Sequence, residues 1–149
     1  MAMELIPIKN SQEENIEFIN NPLFKDTIYV VLDFYQKVGF MPPWICYFAK
    51  QKNKFIGSAG FKGPPVNGSV EIAYGTFEKY RKKGIGTALC KILVDLAQKT
   101  DPSIRITART LPENNFSIRI LEINNFEFKG TVMDPDDGEV REWEYKSNK

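Results

Sequence analysis

Between residues 70 and 99 the hydrophobic pattern changes period. Val70, Ile72 and Tyr74 alternate with Glu71, Ala73 and Gly75, giving one strand two unlike faces. After Gly86 the apolar positions Ala88, Leu89, Ile92, Leu93, Leu96 and Ala97 recur at helical spacing. Between the two lies Arg81-Lys82-Lys83-Gly84-Ile85-Gly86. A strand, a basic glycine turn and a helix aim backbone N–H groups and the positive end of a helix dipole at an anion. Gly84 and Gly86 carry no Cβ, so a ligand can approach the backbone closely.

The rest of the chain reads in the same way. Residues 4–8 are a short apolar strand. Ser11 and Glu14 have the spacing of a capping box, and a helix over 12–20 puts Ile16 and Ile19 inward. Asn20-Asn21-Pro22 breaks it. A second helix over 23–38 carries Phe24, Ile28, Val31, Leu32 and Tyr35 on one face, against the weak helix propensity of its β-branched residues. Gly39-Phe40-Met41-Pro42-Pro43 is a rigid apolar loop, either packed on the core or forming the lip of a pocket. Residues 44–50 and 54–61 are two strands joined by a short hairpin at 51–53. A turn-rich loop at 63–68 leads into the central strand. Past the long helix, residues 104–109 alternate as a strand, Leu111-Pro112-Glu113-Asn114 turns, and a short helix runs to about residue 124. Strands at 126–132 and 140–145 close the chain across the turn at 134–138. No repeat, linker or low-complexity segment interrupts this order, so one domain over 1–149 is expected.

Composition narrows the chemistry. A hydrophobic fraction of 42% and a charged fraction of 26% are those of a globular domain. Net charge is +1, which does not suit a general nucleic-acid binder. The basic run 79–83 is too local to change that. There is no histidine, so Ser–His and Cys–His catalysis are excluded and the commonest metal ligand is missing. No metal site is expected. Cys46 and Cys90 show no paired spacing and fall in a strand and a helix, as buried free thiols. That usage fits a reducing compartment, and a cytoplasmic location is expected. No apolar run approaches the roughly 18–20 residues of a membrane span, and no signal-peptide pattern is read. Met1-Ala2 reads as a leader ahead of a start at Met3.

Two motifs then point to a family. The glycine turn is not a nucleotide-hydrolysing P-loop, which needs Gly-x-x-x-x-Gly-Lys-[Ser/Thr]. It is not the dinucleotide fingerprint either, because Ala88 and Leu89 follow where that pattern continues. The Arg-x-x-Gly-x-Gly of Arg81, Gly84 and Gly86 resembles the acetyl-CoA pyrophosphate loop of the GNAT superfamily of N-acetyltransferases. Asn114-x-x-Ser117-x-Arg119-x-x-Glu122-x-x-Asn125-Phe126 resembles the second signature of its ribosomal-protein N-acetyltransferase-like branch. Val70-Glu71-Ile72-Ala73-Tyr74 is similar to the same branch's strand phrase. Asn125 stands where that branch has glycine, at a helix C′ position where asparagine is the second-best residue for a left-handed backbone.

The resemblance implies an α+β, three-layer fold. Its central, twisted, mostly antiparallel sheet would have about seven strands, with about four helices. It implies direct acetyl transfer from acetyl-CoA to a primary amine of a small molecule or a protein N-terminus, by a monomer or homodimer with neither nucleic acid nor membrane as partner. The pyrophosphate would be held by the backbone of Arg81, Lys82, Lys83, Gly84, Ile85, Gly86 and Thr87, with Asn114 and Ser117 beside it. An amide near Phe77 on the central strand would polarise the thioester. The tyrosine that many members use as the acid is replaced by Leu121, which leaves Ser117 for that role by the same resemblance. Without histidine, a carboxylate is the natural base. Glu71 shares a strand face with Ala73 and Gly75, and burial there would raise its pKa. A plain ion pair at Glu71 and a plain helix cap at Asn114 and Ser117 remain open. So do two other functions, a catalytically silent acyl-CoA-binding module and transfer of a longer acyl chain.

Overall fold

The computed structural model describes residues 3–147. The leader read at residues 1–2 lies outside the described residues. Strand β1 (Glu4–Pro7) is followed by helices α1 (Ile16–Ile19) and α2 (Lys25–Val38). Strands β2 (Cys46–Gln51), β3 (Lys54–Phe61) and β4 (Ser69–Thr76) form a meander. A 3₁₀ turn at Glu78–Tyr80 leads to α3 (Ile85–Thr100). Then come β5 (Arg105–Thr110), α4 (Asn115–Ile123), β6 (Phe126–Asp134) and β7 (Gly138–Tyr145). The seven strands make one sheet in the order β1-β2-β3-β4-β5-β7-β6.

Every neighbouring pair is antiparallel except β4 and β5. That parallel pair is short, matching only Ser69, Val70 and Glu71 with Arg105, Ile106 and Thr107. Beyond it β4 follows β3 as far as Thr76, while β5 turns to β7 from Thr107 onward. The sheet therefore forks at Glu71 and Thr107. The direction of the exposed backbone at the fork follows from alternation. Glu71 O accepts from the Lys62 amide at 2.8 Å, and the Phe77 amide donates to Ile56 O at 2.9 Å. Odd-numbered residues of β4 thus turn their backbone groups to β3, and Ile72, Tyr74 and Thr76 turn theirs to the fork.

The two sheet faces are covered differently. Val70 and Ile72 are buried on the face that α3 covers with Leu89, Cys90 and Leu93. On the other face α1 and α2 cover β1–β3 through aromatic contacts. Phe18 lies 4.8 Å from Phe48 and Phe24 lies 5.2 Å from Phe55, between ring centroids. Such pairs contribute about 0.5–1.5 kcal/mol each beyond area burial. Tyr35 fixes α2 to the sheet: its hydroxyl donates to Ile8 O at 2.7 Å and accepts from the Cys46 amide at 3.0 Å. Phe40, from the apolar loop before β2, packs on the Tyr35 ring at 5.1 Å. The hairpin between β2 and β3 turns through Lys52 and Asn53, at φ 50° and 62°, the backbone that a two-residue primed turn needs.

The first helix departs from the sequence reading. Ser11 does cap, accepting from the Glu14 amide at 3.1 Å. Only Ile16–Ile19 is regular helix, however, and Ile16 is exposed, not inward. The fully buried residue of this segment is Asn15, 2% exposed. Its amide nitrogen donates to Lys9 O and Ser11 O at 2.8 and 2.9 Å, and its oxygen accepts from the Lys9 amide at 2.9 Å. A buried amide so fully bonded avoids the usual desolvation penalty.

Asn125 has φ 68°, the left-handed conformation expected one residue past the α4 cap. Its side chain donates to Lys146 O at 2.7 Å, tying the end of α4 to the end of β7. Asn125→Ala is therefore expected to lower stability by about 1–2 kcal/mol, from the backbone strain alone. Urea unfolding checks this through the midpoint at unchanged slope.

Candidate functional site

The turn before α3 is built to leave amides free. Gly84 caps the helix at φ 76° and supplies no side chain. The first turn holds no acidic residue, so nothing of the protein's own answers the positive end of the dipole. The Ala88 amide donates to Gly84 O at 3.2 Å, which leaves the amides of Ile85, Gly86 and Thr87 ahead of the first intrahelical bond. A Cβ built on Gly84 would meet nothing within 4 Å, so the space above this backbone is open. Gly86 has the opposite reason to be glycine. A Cβ there would come within 2.7 Å of Ile120 Cδ1, because α3 and α4 approach closely. Asn124 holds them together, donating to Thr87 O at 3.1 Å and Ile120 O at 3.0 Å.

These amides open into a cavity of about 480 Å³ between the fork edge of β4, the glycine turn and α4. Arg81, Lys82, Gly84, Ile85, Gly86, Thr87, Asn114 and Ser117 all line it. Lys83 and Phe77 do not. Lys83 is exposed beside the turn, and the Phe77 amide is spent on Ile56 O. The strand amides that alternation turns to the fork are those of Tyr74 and Thr76, two residues that line the cavity. Arg81 Nε donates to Thr76 O at 3.3 Å, so the turn is latched to the strand end. Tyr80, Phe116, Arg119, Ile120 and Ile123 complete the walls. The last four recur at helical spacing around Ser117, so this signal was present in the sequence.

Asn114 and Ser117 stand as a cap: Asn114 Oδ1 accepts from the Ser117 amide at 3.1 Å. Among the described residues the Ser117 hydroxyl has no hydrogen-bond partner, and Ser117 lines the cavity. Leu121 is a core residue, 1% exposed. The thiols are inert. Burial pushes Cys90 up to about 12 and Cys46 up to about 11, each partly offset by a tyrosine hydroxyl. Tyr74, which meets Cys90, is itself pushed above the usual tyrosine range by burial and by that contact.

Glu71 lies outside the cavity, on the opposite side of β4, at the point where the sheet forks. The surroundings expected to bury it instead pair it. Lys62 Nζ is 2.9 Å from Oε2 and Arg109 Nε is 3.9 Å from Oε1, with the Glu71 side chain 20% exposed. Arg109 also donates to Asp134 Oδ2 at 3.0 Å and to Glu142 Oε2 at 3.3 Å. The backbone amide of Asp136, then Arg109, then the amide of Asp137 hold the Asp134 carboxyl down at about 2. From Glu71 the strand face runs past exposed Ala73 to Gly75, where a Cβ would meet nothing within 4 Å. This is a bare floor leading from a carboxylate to the strand edge above the cavity. Among the described residues no cluster could hold a metal ion, and no helix is long and apolar enough to cross a membrane.

The chain is similar to known proteins in both sequence and fold. Residues 2–127 match the family model of the acetyltransferase (GNAT) domain. The chain is 30% identical over 97 residues to YjdG of Bacillus subtilis (strain 168), an uncharacterized N-acetyltransferase. That match covers 64% of this chain and spans only 55% of the relative's length. The fold is similar to that of RimL, a ribosomal L7/L12 alpha-N-protein acetyltransferase in complex with coenzyme A. The TM-score is 0.70 at 15% identity, covering 97% of this chain and 93% of that one. It is equally similar to the aminoglycoside acetyltransferase AAC(6')-Ib in complex with coenzyme A and kanamycin, with a TM-score of 0.70 at 22% identity over 97% and 95% of the two chains.

Proposed function

The chain belongs to the GNAT acetyltransferase family, and on that premise we propose that it transfers an acetyl group from acetyl-CoA to an amine. The observation that carries this reading is the α3 N-terminus. Its three leading amides face an open cavity with no acidic residue and no side-chain cap to occupy them. A diphosphate fits that donor set, and Arg81 and Lys82 add charge at its rim. Bound there, acetyl-CoA supplies an activated acyl thioester. The Tyr74 and Thr76 amides, turned to the fork, are the donors available to a thioester oxygen. The Ser117 hydroxyl is the available proton donor on the α4 wall. Glu71 is the carboxylate at the far end of the bare floor, and we assign it the removal of the acceptor's proton, directly or through water.

Thermal denaturation with acetyl-CoA, CoA, ATP and NAD tests the reading. Acetyl-CoA and CoA at about 100 times Kd should stabilise the fold by about 2.7 kcal/mol. For a domain of this size that is a rise of roughly 5–10 °C. No response to either would sink it. Transfer to a panel of aminoglycosides, polyamines and peptide N-termini then finds the acceptor, the two structural relatives supplying the first and third classes. Ser117→Ala is expected to lower kcat by about 10²-fold, the low end for a lost acid, with the acetyl-CoA-induced melting shift retained. A silent CoA-binding module, by contrast, would show the melting shift and release no thiol with any amine. The free state of both cysteines suits a reducing cytoplasm, which we propose as its location.

A further inference from the structure

The carboxylate at the fork is surrounded by charge in an unusual way. Two cations face Glu71, yet neither takes its lone pairs. Lys62 Nζ lies 2.9 Å from Oε2 but outside hydrogen-bonding direction, and that buried oxygen accepts no hydrogen bond among the described residues. Arg109 Nε stays 3.9 Å from Oε1 because the guanidinium spends its donors elsewhere. Nη1 goes to Asp134 Oδ2 at 3.0 Å, and Nε and Nη2 go to Glu142 Oε2 at 3.3 Å each. Asp134 is itself immobilised, its Oδ1 accepting the amides of Asp136 at 2.9 Å and Asp137 at 3.2 Å. The Arg109 fork is thus bolted to the β6–β7 hairpin and held at ion-pair distance from Glu71.

From this arrangement we infer that Arg109 is a positioning residue for Glu71: anchored by Asp134 and Glu142, it bridges the split between β4 and β5 and faces the Glu71 carboxylate with a fixed positive charge while leaving Oε1 open to accept. The inference rests on the role just assigned to Glu71. A residue that hydrogen-bonded Glu71 directly would satisfy the carboxylate and blunt it as a base. A fork held off by two other carboxylates supplies the field without the bond. The geometry also makes the β6–β7 hairpin part of the base's support, although the hairpin begins more than fifty residues after Glu71. The groups that face Glu71 are Lys62 from the β3–β4 loop and Arg109 from β5, with Asp134 of β6 and Glu142 of β7 behind Arg109.

The test is a carbon-13 NMR titration of the Glu71 carboxyl in wild type, Arg109→Met and Arg109→Lys. It is paired with the pH profile of kcat/KM for any amine that the wild type acetylates. Arg109→Met should raise the proton affinity of Glu71 tenfold or more. The acid limb of kcat/KM should move by the same amount, with the acetyl-CoA-induced melting shift unchanged. Arg109→Lys keeps the charge but cannot span Asp134 and Glu142 together, so a rise of about threefold is expected. If Arg109→Met does not fold, the lysine variant carries the test alone. A Glu71 midpoint equal to wild type in a folded variant overturns the inference. If the wild type binds acetyl-CoA and acetylates nothing, the transfer reading fails while the titration still decides the role of Arg109.

Discussion

Thr87→Glu should raise the melting temperature of the unliganded protein and lower acetyl-CoA affinity at least 100-fold. The two effects have opposite signs because one charge meets two different partners. Thr87 is the third residue of α3, partly exposed, and it lines the cavity. That first turn carries no acidic residue. A glutamate there complements the helix dipole by about 0.3–1 kcal/mol and is a better helix former than threonine. For a chain of this length the gain is a rise of about 1–4 °C. The same carboxylate lies beside the amides assigned to the diphosphate. Like charges about 5 Å apart at an effective dielectric of ~20 repel by about 3 kcal/mol, which is roughly two decades in affinity. Thr87→Gln, similar in size and uncharged, should lose less than about tenfold on the same argument. Calorimetric titration and melting curves at low salt give both numbers. A variant that melts higher and still binds acetyl-CoA as wild type would mean that these amides hold no anion.

That the glycine turn could be found in the sequence follows from locality. Strand, turn and helix are adjacent in the chain, and the change of hydrophobic period at residues 77–87 marks their junction. The capping role of Asn114 was legible for the same reason, since its partner Ser117 is three residues away. The left-handed Asn125 was legible because a helix end imposes a backbone that few residues accept. What the sequence left open or misplaced depended on distant partners or on one residue of register. Asn15 sits inside because Lys9 and Ser11 satisfy its amide, and hydropathy alone put Ile16 there instead. The Phe77 amide is taken because β4 holds its pairing with β3 one residue beyond the strand end, which moves the free donors to Tyr74 and Thr76. The ion network at Glu71 draws on the β3–β4 loop, β5, β6 and β7, so no window of sequence contains it.

The fork itself joins these local and distant parts. Parallel pairing of β4 with β5 ends at Glu71, so the same residue that closes the paired segment begins the open one. On the helix side of β4 the separation admits the cavity under the glycine turn. On the other side it exposes the Ala73–Gly75 floor, whose lack of side chains gives an acceptor room to approach the strand edge. Donor and acceptor would thus meet across one strand edge from opposite faces, which suits direct transfer without an enzyme-bound acyl group.

With an alkyl-amine acceptor, Glu71→Gln should lower kcat by about 10²–10³-fold near neutral pH, within the range that a lost base contributes. Acetyl-CoA binding should not change, because Glu71 lies outside the cavity, on the opposite side of the strand. The fold should tolerate the substitution, since the pair is partly exposed and Lys62 and Arg109 keep water or other carboxylates for company. The pH dependence separates a base from a structural ion pair. An alkyl ammonium near pKa ~10 must lose its proton before it attacks, and the variant must take the small fraction already neutral in water. Its rate should therefore climb tenfold for each pH unit until the acceptor's own pKa, where it approaches wild type. The wild-type profile should be flatter over the same range. With an α-amine acceptor, near pKa ~8, recovery should come about two units earlier. If Glu71 served only to pair Lys62 and Arg109, the variant would run parallel to wild type at every pH, and the deficit would not depend on the amine.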